Sequence, residues 1–432
     1  MMVSWYTHRM HHKPLVVILG GGYGGIRVAR YLAKKKAARI ILIDRNPYHM
    51  LYAQFYEMAT LFRPEQLPEI KKQQRIENHE LLTSSAIPLR DIFAPFPDVK
   101  IERGEVTSVD PEAHAVIFGT GRKLYYNYLV AALGSKTNYF SIPHLEQNSI
   151  GLKSINEAAN IRNRIDELFL TTPKHKKITV VIGGGGFTGV ELAGELVGYM
   201  KKLSLLHGRP IGNWACVIVE AGAGVLGTST PWVRARAAHR LKELGVTVLT
   251  GSAISDVWPN LLYLGKEKRP FGFDLLVWTA GVKGACEGSI IHWAGVDKKM
   301  CLIVDQYLRV QPYENIFTVG DTAATIDADT GASIPMTAQK ALHEAGYVAR
   351  ALCRLIKNPK ASFAPYTSKS PKFIIPVGGK FALLEASGLR WAGFFAWALK
   401  YLVLIKYLVT ILPLGKSLRY AAHELRLFIR ND

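Results

Sequence analysis

The chain has 432 residues, 49% hydrophobic and 20% charged, which is enough for two or three domains with cores of their own. Its formal net charge of +20 indicates an anionic partner, such as a phosphate-bearing ligand, an anionic membrane surface or nucleic acid. The four cysteines are far apart and form no Cys-x-x-Cys pair, which excludes a disulfide framework and a zinc ribbon, and we expect no metal site.

The first predicted element is a buried parallel strand, LVVIL at Leu15–Leu19, which leads into a glycine-rich turn. The turn fits the pattern G-x-G-x-x-G with Gly20, Gly22 and Gly25, and a segment of helical periodicity follows it. Such glycines permit a tight turn, a close approach of the backbone to a pyrophosphate, and close packing of helix on strand. The next strand, RIILID, ends at Asp44, where a dinucleotide site places an acid against a ribose hydroxyl.

The same arrangement occurs a second time along the chain. The strand ITVVI at Ile178–Ile182 leads into a turn with Gly184, Gly186 and Gly189, and the following strand ends at Glu220. No arginine directly follows Glu220, and its carboxylate would repel a 2′-phosphate, so the sequence predicts NADH rather than NADPH. Two complete units predict two dinucleotides, a flavin that stays bound and a nicotinamide that binds and leaves.

Three further segments give the chain a resemblance to the two-dinucleotide-fold flavoproteins. YNYLVAALGSKTN (Tyr126–Asn138) resembles the exit from their flavin domain, and FDLLVWTAGVKG (Phe273–Gly284) resembles the exit from their NADH domain. NIFTVGDTA (Asn315–Ala323) resembles their second flavin motif, which implies that Asp321 binds the ribityl chain. The same segments imply cofactor contacts at Ala132, Gly134, Gly281 and Gly320.

Three other stretches narrow the resemblance to the type II NADH dehydrogenases. They are GGGFTGVELAGEL, which begins in the second glycine turn, NPYHMLYAQFYEMAT (Asn46–Thr60) and IPMTAQKALHEAGY (Ile334–Tyr347). That family consists of single-chain, non-pumping NADH:quinone oxidoreductases that lie on a membrane surface. The resemblance covers the chain from about Leu15 to its end, and it implies bound FAD, NADH as substrate and a quinone as electron acceptor.

Carried over to matching positions, the resemblance implies a quinone site. Glu191 would lie near the flavin where nicotinamide and quinone meet, and Gln339 with Ala338 would line the quinone head-group site. The family often has a second glutamine where this chain has His343, which is either a proton donor or an ordinary helix histidine. A looser match places Lys400 near the quinone entrance.

The C-terminal region predicts membrane association. The segment Trp391–Leu414 is almost continuously apolar and long enough to span a bilayer, although Lys400 and Lys406 fall inside it. The following stretch, SLRYAAHELRLFIRND, has a basic helical stripe beside an apolar one. From residue 389 onward, seven Lys/Arg against two Asp/Glu give a net charge of +5.

These features favour a monotopic anchor on the anionic, cytoplasmic face of the cell membrane. They leave open a spanning helix, and they also leave open a tail that packs on the core or forms a dimer interface. The resembling family implies a homodimer, which nothing in this sequence proves.

The predicted architecture is α/β, with two Rossmann-like domains and a helical tail. A split FAD domain takes residues 14–145 and 286–350, an inserted NADH domain takes 146–285, and the C-terminal region takes 351–432. The charged stretch Pro64–Glu80 is interpreted as a solvated insertion.

Two alternative functions stay open. A sulfide:quinone oxidoreductase would need redox cysteines, for which Cys286 and Cys301 are the candidates. A redox sensor or binding module similar to apoptosis-inducing factor would use its basic surface, but the sequence contains no nucleic-acid-binding motif and we expect no nucleic-acid partner.

Overall fold

The computed structural model describes residues 13–62, 85–286, 292–327, 331–369, 372–386 and 388–429. The chain forms two compact units. The first consists of Met1–Met50, Ile87–Lys136 and Val282–Pro371, and the second consists of Leu51–Ala86, Thr137–Gly281 and Lys372–Asp432. The domains predicted from the sequence are defined by the cofactor that each would bind, whereas these units are defined by their internal contacts. The predicted domain boundaries therefore stay a prediction. The charged stretch 64–80 lies outside the described residues.

Helices and strands alternate around each glycine turn. The described α-helices are α1 (Tyr23–Lys34), α2 (Phe55–Met58), α3 (Leu89–Phe93), α4 (Ile155–Thr171), α5 (Phe187–His207), α6 (Pro231–Leu244), α7 (Ala338–Lys357), α8 (Phe394–Ile411) and α9 (Leu414–Ile429). Short 3₁₀ helices occupy Tyr52–Gln54, Ile211–Asn213 and Gly320–Thr322.

The strands in chain order are β1 (Leu15–Leu19), β2 (Arg39–Asp44), β3 (Tyr48–Met50), β4 (Ala86–Pro88), β5 (Val99–Arg103), β6 (Val106–Asp110), β7 (Ala115–Phe118), β8 (Lys123–Tyr125), β9 (Tyr128–Ala131), β10 (Ser135–Thr137), β11 (Ile178–Gly183), β12 (Trp214–Val219), β13 (Thr247–Leu249), β14 (Ile254–Trp258), β15 (Leu261–Leu264), β16 (Arg269–Gly272), β17 (Leu275–Trp278), β18 (Val282–Gly284), β19 (Leu302–Ile303), β20 (Ile316–Thr318), β21 (Ala323–Ala324), β22 (Phe373–Pro376), β23 (Ala382–Ala386) and β24 (Leu389–Gly393).

The first unit is built on a five-stranded parallel sheet in the order β20-β9-β1-β2-β5. Val17 at its centre pairs with Ile41 on one side and Leu129 on the other. The four residues from Val16 to Leu19 are buried, as expected for a strand covered on both faces. The first glycine turn therefore opens at the carboxyl edge of this sheet, where its central strands end and where α/β proteins bind ligands.

The second unit repeats the design with a four-stranded parallel sheet in the order β13-β12-β11-β17. Val181 in β11 pairs with Val217 of β12 and with Leu276 of β17. A three-stranded antiparallel sheet, β14-β15-β16, packs into the same core, where Val257 and Leu262 are fully buried. The predicted α/β class with two Rossmann-like units is confirmed.

The C-terminal region contains a sheet that the sequence analysis did not predict. Strands β22, β23 and β24 form an antiparallel sheet, and α8 packs on it through Ala396, Trp397 and Tyr401. The apolar stretch predicted as one segment is divided, since Trp391 belongs to β24 and the helix runs from Phe394 to Ile411. The chain turns at Leu412–Pro413 and continues as α9.

Candidate functional site

The first glycine turn forms an open cradle at the end of β1. Gly20 has φ +105°, and a Cβ there would lie 2.3 Å from the carbonyl oxygen of Ala132. A Cβ on Gly25 would lie 1.9 Å from the Gly20 oxygen, so neither position tolerates a side chain. A Cβ on Gly22 would meet no described atom within 4 Å. Because Gly22 has no side chain with which to cap α1, the first N–H groups of that helix remain available to an anion.

The carboxylate of Asp44 closes this cradle from the next strand. Its Oδ2 accepts a hydrogen bond from Gly21 N at 2.6 Å, and its Oδ1 accepts one from Asn46 N at 2.7 Å. Burial raises the pKa of Asp44, and the two backbone N–H groups oppose that rise. The acid thus lies at the place that the sequence analysis predicted, fixed against the glycine loop.

His49 is a part of this cradle that the sequence analysis did not single out. It is buried, and its Nδ1 lies 3.1 Å from the Gly21 carbonyl oxygen. Its ring lies nearly perpendicular to that of Tyr23, with 4.9 Å between the ring centroids. Burial lowers the pKa of His49 to about 4, so the imidazole is neutral at physiological pH. A neutral ring with a protonated Nδ1 can donate to Gly21 O and hold the loop in place.

The second flavin motif lies in the same unit. Ser135 Oγ donates to Asp321 Oδ2 at 2.6 Å, and Gly134 N donates to Thr322 Oγ1 at 3.0 Å. These two bonds join the segment after β9 to the 3₁₀ helix that contains Gly320, which has φ +74°. Predicted residues from three stretches of sequence therefore meet around one cradle.

Two buried charged residues of helix α7, Lys340 and Glu344, form hydrogen bonds with this motif. Lys340 Nζ donates to the carbonyl oxygens of Gly320 and Ala323, both at 2.8 Å. Glu344 accepts from Gly320 N at 2.6 Å and from Thr325 Oγ1 at 2.8 Å. Burial raises the pKa of Glu344 to about 7. The network fixes the Gly–Asp turn, and sequence reasoning missed both side chains.

The predicted quinone residues Ala338 and Gln339 lie in the first turn of α7. Thr337 caps that helix by accepting from Lys340 N at 3.1 Å. Gln339 is exposed. His343 lies one turn further, with Nδ1 3.5 Å from the Tyr366 hydroxyl, and burial lowers its pKa.

The second cradle repeats the geometry of the first. Gly184 has φ +110°, a Cβ there would lie 2.4 Å from Ala280 Cα, and a Cβ on Gly189 would lie 1.9 Å from Gly184 O. A Cβ on Gly186 would meet no described atom within 4 Å. Gly281, at the exit from this unit, lies against the ring of Phe140.

Glu220 closes the second cradle as Asp44 closes the first. Its Oε2 accepts from Gly185 N at 2.6 Å, and its Oε1 accepts from Gly222 N at 2.6 Å. Both cradles therefore fit a dinucleotide by the same test: an open face at the middle glycine, free N–H groups at a helix start, and a carboxylate fixed at the end of the next strand.

A group of buried and half-buried charged residues, here called the Lys400 cluster, lies in the second unit. Its members are Glu57, Glu191, Glu195, Glu424 and Lys400, with Tyr56 among them. Lys400 Nζ forms an ion pair with Glu57 and donates to the Tyr56 hydroxyl at 2.7 Å.

Within the Lys400 cluster, the carboxyl group of Glu191 has a raised pKa. Burial raises its pKa to about 8, Lys400 lowers that pKa and Glu57 raises it. The predicted residues Glu191 and Lys400 are thus brought together within one unit. Sequence reasoning missed Glu57, Glu195 and Glu424, which come from separate helices and share no spacing.

The cysteines provide no reactive thiol among the described residues. Cys286 and Cys301 are both buried, and Cys301 Sγ donates to Asp321 O at 3.3 Å. Burial raises the pKa of Cys286 to about 12 and that of Cys301 to about 11, which suppresses the nucleophilic thiolate. In the part of the chain that the structure describes, no group of three or more His, Cys, Asp or Glu is suited to a metal ion.

The comparisons with known proteins agree with one another. The model of the pyridine nucleotide-disulphide oxidoreductase family matches residues 14–345. The type II NADH:quinone oxidoreductase of Haemophilus influenzae is 28% identical over 390 residues, covering 82% of this chain and 83% of the relative. The type II NADH:quinone oxidoreductase Ndh of Mycobacterium tuberculosis is 27% identical, covering 93% of this chain and 86% of the relative.

Two solved structures share the fold. NDH2 from Plasmodium falciparum in complex with NADH superposes with a TM-score of 0.78 at 19% identity, covering 96% of this chain and 98% of that one. The sulfide:quinone oxidoreductase from Aquifex aeolicus superposes with a TM-score of 0.72 at 19% identity, covering 97% and 92%. At these identities the superpositions establish the architecture alone.

Proposed function

The chain belongs to the pyridine nucleotide-disulphide oxidoreductase family, and on that basis we propose that it is a type II NADH:quinone oxidoreductase. It oxidises NADH and reduces a membrane quinone without pumping protons. One observation carries the proposal: two glycine cradles, each closed by a carboxylate, lie in a chain whose relatives over most of its length are NADH:quinone oxidoreductases.

The first cradle is assigned to FAD. The chemistry that FAD supplies when bound is acceptance of a hydride from NADH and release of two electrons to a quinone. Residues Gly20, Gly22 and Gly25 would admit the pyrophosphate, and Asp44 would bind a ribose hydroxyl. The second flavin motif, with Gly134, Gly320 and Asp321, would hold the remainder, together with Ala132.

The second cradle is assigned to NADH. Its pyrophosphate would lie over Gly184, Gly186 and Gly189, and the Glu220 carboxylate would accept from the adenosine ribose. The same carboxylate would repel the 2′-phosphate of NADPH. Gly281, in the segment by which the chain leaves this unit, is also assigned to the NADH site.

Glu191 and Lys400, in the second unit, are assigned to the quinone; the resemblance assigns Ala338 and Gln339, in the first unit, to it as well. Reduction of a quinone by NADH takes up one proton in addition to the hydride, so the site needs a proton donor. Glu191 supports this assignment because its pKa of about 8 leaves it largely protonated at neutral pH. Lys400, held beside Glu57, would keep a positive charge close to that donor.

The two C-terminal helices are assigned to a membrane surface. Helix α8 is long and apolar enough to cross a bilayer, yet one side of it packs on the protein through Trp397, Tyr401 and Leu408. Its other side is exposed, with Phe395 at 78% and Leu402 at 61% of their full accessible surface. A helix packed along one side and apolar along the other fits an interfacial position better than a spanning one.

Exposed cations favour an anionic lipid face. Lys406 lies on α8, while Arg419 lies on α9 among exposed leucines. A basic and apolar surface of this kind is attracted to anionic headgroups, which are abundant on the cytoplasmic leaflet. We assign the protein to the cytoplasmic face of the membrane as a monotopic protein, and a homodimer remains part of the proposal.

Sulfide oxidation is the competing function, since a sulfide:quinone oxidoreductase has the same architecture. The buried thiols of Cys286 and Cys301, with their raised pKa values, disfavour it.

The proposal is tested with purified protein in a stopped-flow spectrometer. NADH added alone should bleach the flavin absorbance, and a ubiquinone or menaquinone analogue should then restore it. NADPH and sulfide serve as comparison reductants and should act far more slowly. A colourless protein that does not take up FAD, or bleaching by sulfide but not by NADH, would overturn the proposal.

A further inference from the structure

Two charged side chains of α7 lie buried beside the turn that contains Asp321. Lys340 is 6% exposed and Glu344 is 0% exposed, and the Lys340 ammonium nitrogen lies 3.6 Å from Glu344 Oε1. The two residues are four positions apart, so they lie on one face of the helix. Removing both charges from water is costly, and an apolar pair of similar volume is often at least as stable. Stability alone therefore does not explain a charged pair at this place.

Both side chains bond to the backbone of the turn. Lys340 Nζ donates to the carbonyl oxygens of Gly320 and Ala323, each at 2.8 Å, and Glu344 Oε2 accepts from Gly320 N at 2.6 Å. The turn Gly320–Thr322 is a single turn of 3₁₀ helix, whose own hydrogen bonds have poor geometry. The bonds from α7 hold the backbone on both sides of Asp321, and they therefore set where that residue lies.

Asp321 itself is bonded by other segments of the first unit. Ser135 Oγ donates to its Oδ2 at 2.6 Å, and Cys301 Sγ donates to its carbonyl oxygen at 3.3 Å. Among the described residues, neither Lys340 nor Glu344 forms a hydrogen bond with Asp321. The charged pair can therefore affect the position of the Asp321 side chain only through the backbone of the turn.

The contacts of Glu344 support its ionised form. Burial raises its pKa to about 7, while the Lys340 ammonium group, the Gly320 N–H group and the Thr325 hydroxyl group lower it. Asp321 contributes to the rise. At pH 8 the carboxylate of Glu344 therefore balances the charge of Lys340, and the pair can be tested there in its charged state.

We propose that Lys340 and Glu344 are positioning residues for FAD, which hold the Gly320 turn so that Asp321 lies where it can bind the ribityl chain. This inference rests on the proposed function, in which Asp321 binds that chain. Neither α7 side chain needs to touch the cofactor. Loss of either one should weaken the retention of FAD, and the effect should depend on Asp321 but not on Asp44 at the end of β2.

Release of FAD from the full-length holoenzyme tests the inference. Each variant is diluted at pH 8, and the flavin that passes a centrifugal filter is measured over time. Lys340→Met should release FAD about tenfold faster than wild type, equivalent to about 1.4 kcal/mol, because the turn loses both bonds to the ammonium group. Glu344→Gln should release it about threefold faster, since the amide can keep the hydrogen bonds but not the charge. Lys357→Met, at an exposed position of the same helix, is the matched control and should behave as wild type.

A double-mutant cycle separates positioning of Asp321 from general loosening of the fold. In an Asp321→Ala background, Lys340→Met should accelerate release by a further factor of about two or less, because the side chain through which it acts is absent. In an Asp44→Ala background it should keep its effect of about tenfold, since Asp44 is assigned to a different part of FAD. Glu344→Gln is measured in the same two backgrounds, so the test stands if Lys340→Met does not fold. Circular dichroism checks the fold of every variant.

The outcomes distinguish this inference from the proposed function. Full effects of the α7 variants in both backgrounds would overturn the inference, because they would indicate a merely structural role. Fast release from Asp321→Ala together with wild-type release from Lys340→Met and Glu344→Gln would overturn it as well, and would leave the role of Asp321 intact. Wild-type release from Asp321→Ala would contradict the proposed role of Asp321 and the inference with it.

Discussion

The Oε2 atom of Glu220 lies 2.6 Å from the backbone nitrogen of Gly185, and Oδ2 of Asp44 lies at the same distance from the nitrogen of Gly21. Each acid ends the strand after a glycine turn and accepts an N–H group from that turn. The two bonds fix the carboxylates at equivalent positions in two separate cradles. This equivalence allows the acids to serve as controls for each other.

Replacing Glu220 with serine should relax the preference for NADH. Removal of the carboxylate removes its repulsion of a 2′-phosphate, and we expect the ratio of kcat/KM for NADPH to that for NADH to rise about tenfold, or about 1.4 kcal/mol. Steady-state kinetics with both nucleotides measure it. Asp44→Ser should leave the ratio unchanged while weakening flavin retention; a changed ratio there would contradict the assignment of the two cradles.

His49 should make the flavin cradle sensitive to acid. Its pKa in the folded protein, about 4, lies below the usual 6.5, so its contribution to stability is complete above pH 6.5 and is lost as the pH falls towards 4. Loss of the bond to Gly21 O should also loosen the loop. We expect His49→Leu to release more FAD on gel filtration at neutral pH and to reduce the dependence of the unfolding midpoint on pH below 6.5.

The exposed His175 provides the control for His49. His175→Leu should behave as wild type in both measurements. Identical acid sensitivity in wild type and His49→Leu would show that His49 does not titrate on unfolding in this range.

Two glycines of the first turn should respond in opposite ways to the same substitution. A Cβ at position 25 would lie 1.9 Å from Gly20 O, so Gly25→Ala should give little soluble, folded protein. A Cβ at position 22 projects into open space, so Gly22→Ala should fold but bind FAD more weakly, because the methyl group occupies the assigned path of the pyrophosphate. Circular dichroism and the ratio of flavin to protein absorbance distinguish the two. Full flavin content in Gly22→Ala would contradict the assignment of this turn to the FAD pyrophosphate.

Lys400 should contribute strongly to stability. Its side chain and that of Glu57 are largely buried, and Lys400→Met would leave the Glu57 carboxylate without its cation. We expect a loss of about 3 kcal/mol in the free energy of unfolding by denaturant at pH 8. Lys406→Met, at an exposed position of the same helix, should change the free energy by about 0.5 kcal/mol or less.

Leu402 should contribute to membrane binding. Placing a charge on the exposed side of α8 opposes burial in lipid, so Leu402→Asp should reduce sedimentation with vesicles about tenfold or more. Vesicles with anionic lipid should bind the wild type better than purely zwitterionic ones. Leu205→Asp is the matched control, since Leu205 is 79% exposed on a different helix, α5. Equal binding by all three proteins would contradict the assigned surface.

Much of the fold followed from short stretches of sequence. The run LVVIL and the glycines after it specify a buried strand and a tight turn, because both depend on local sterics and on a pattern within about ten residues. The acids Asp44 and Glu220 were predicted by their place at the end of the next strand. The sheet β22-β23-β24 was not predicted, because its strands are short and lie beside an apolar helix that masks their alternation.

The sequence by itself determined two strand–turn–helix units with a carboxylate after each, together with a basic, apolar end to the chain. Tertiary structure alone decided that the buried acids Glu57, Glu195 and Glu424 lie in one cluster with the half-buried Glu191 and Lys400. Four separate helices bring these residues together, and no spacing along the chain encodes that meeting. Whether a glutamate is an ordinary surface acid or holds a proton at neutral pH depends on burial and neighbouring charge, and packing sets both.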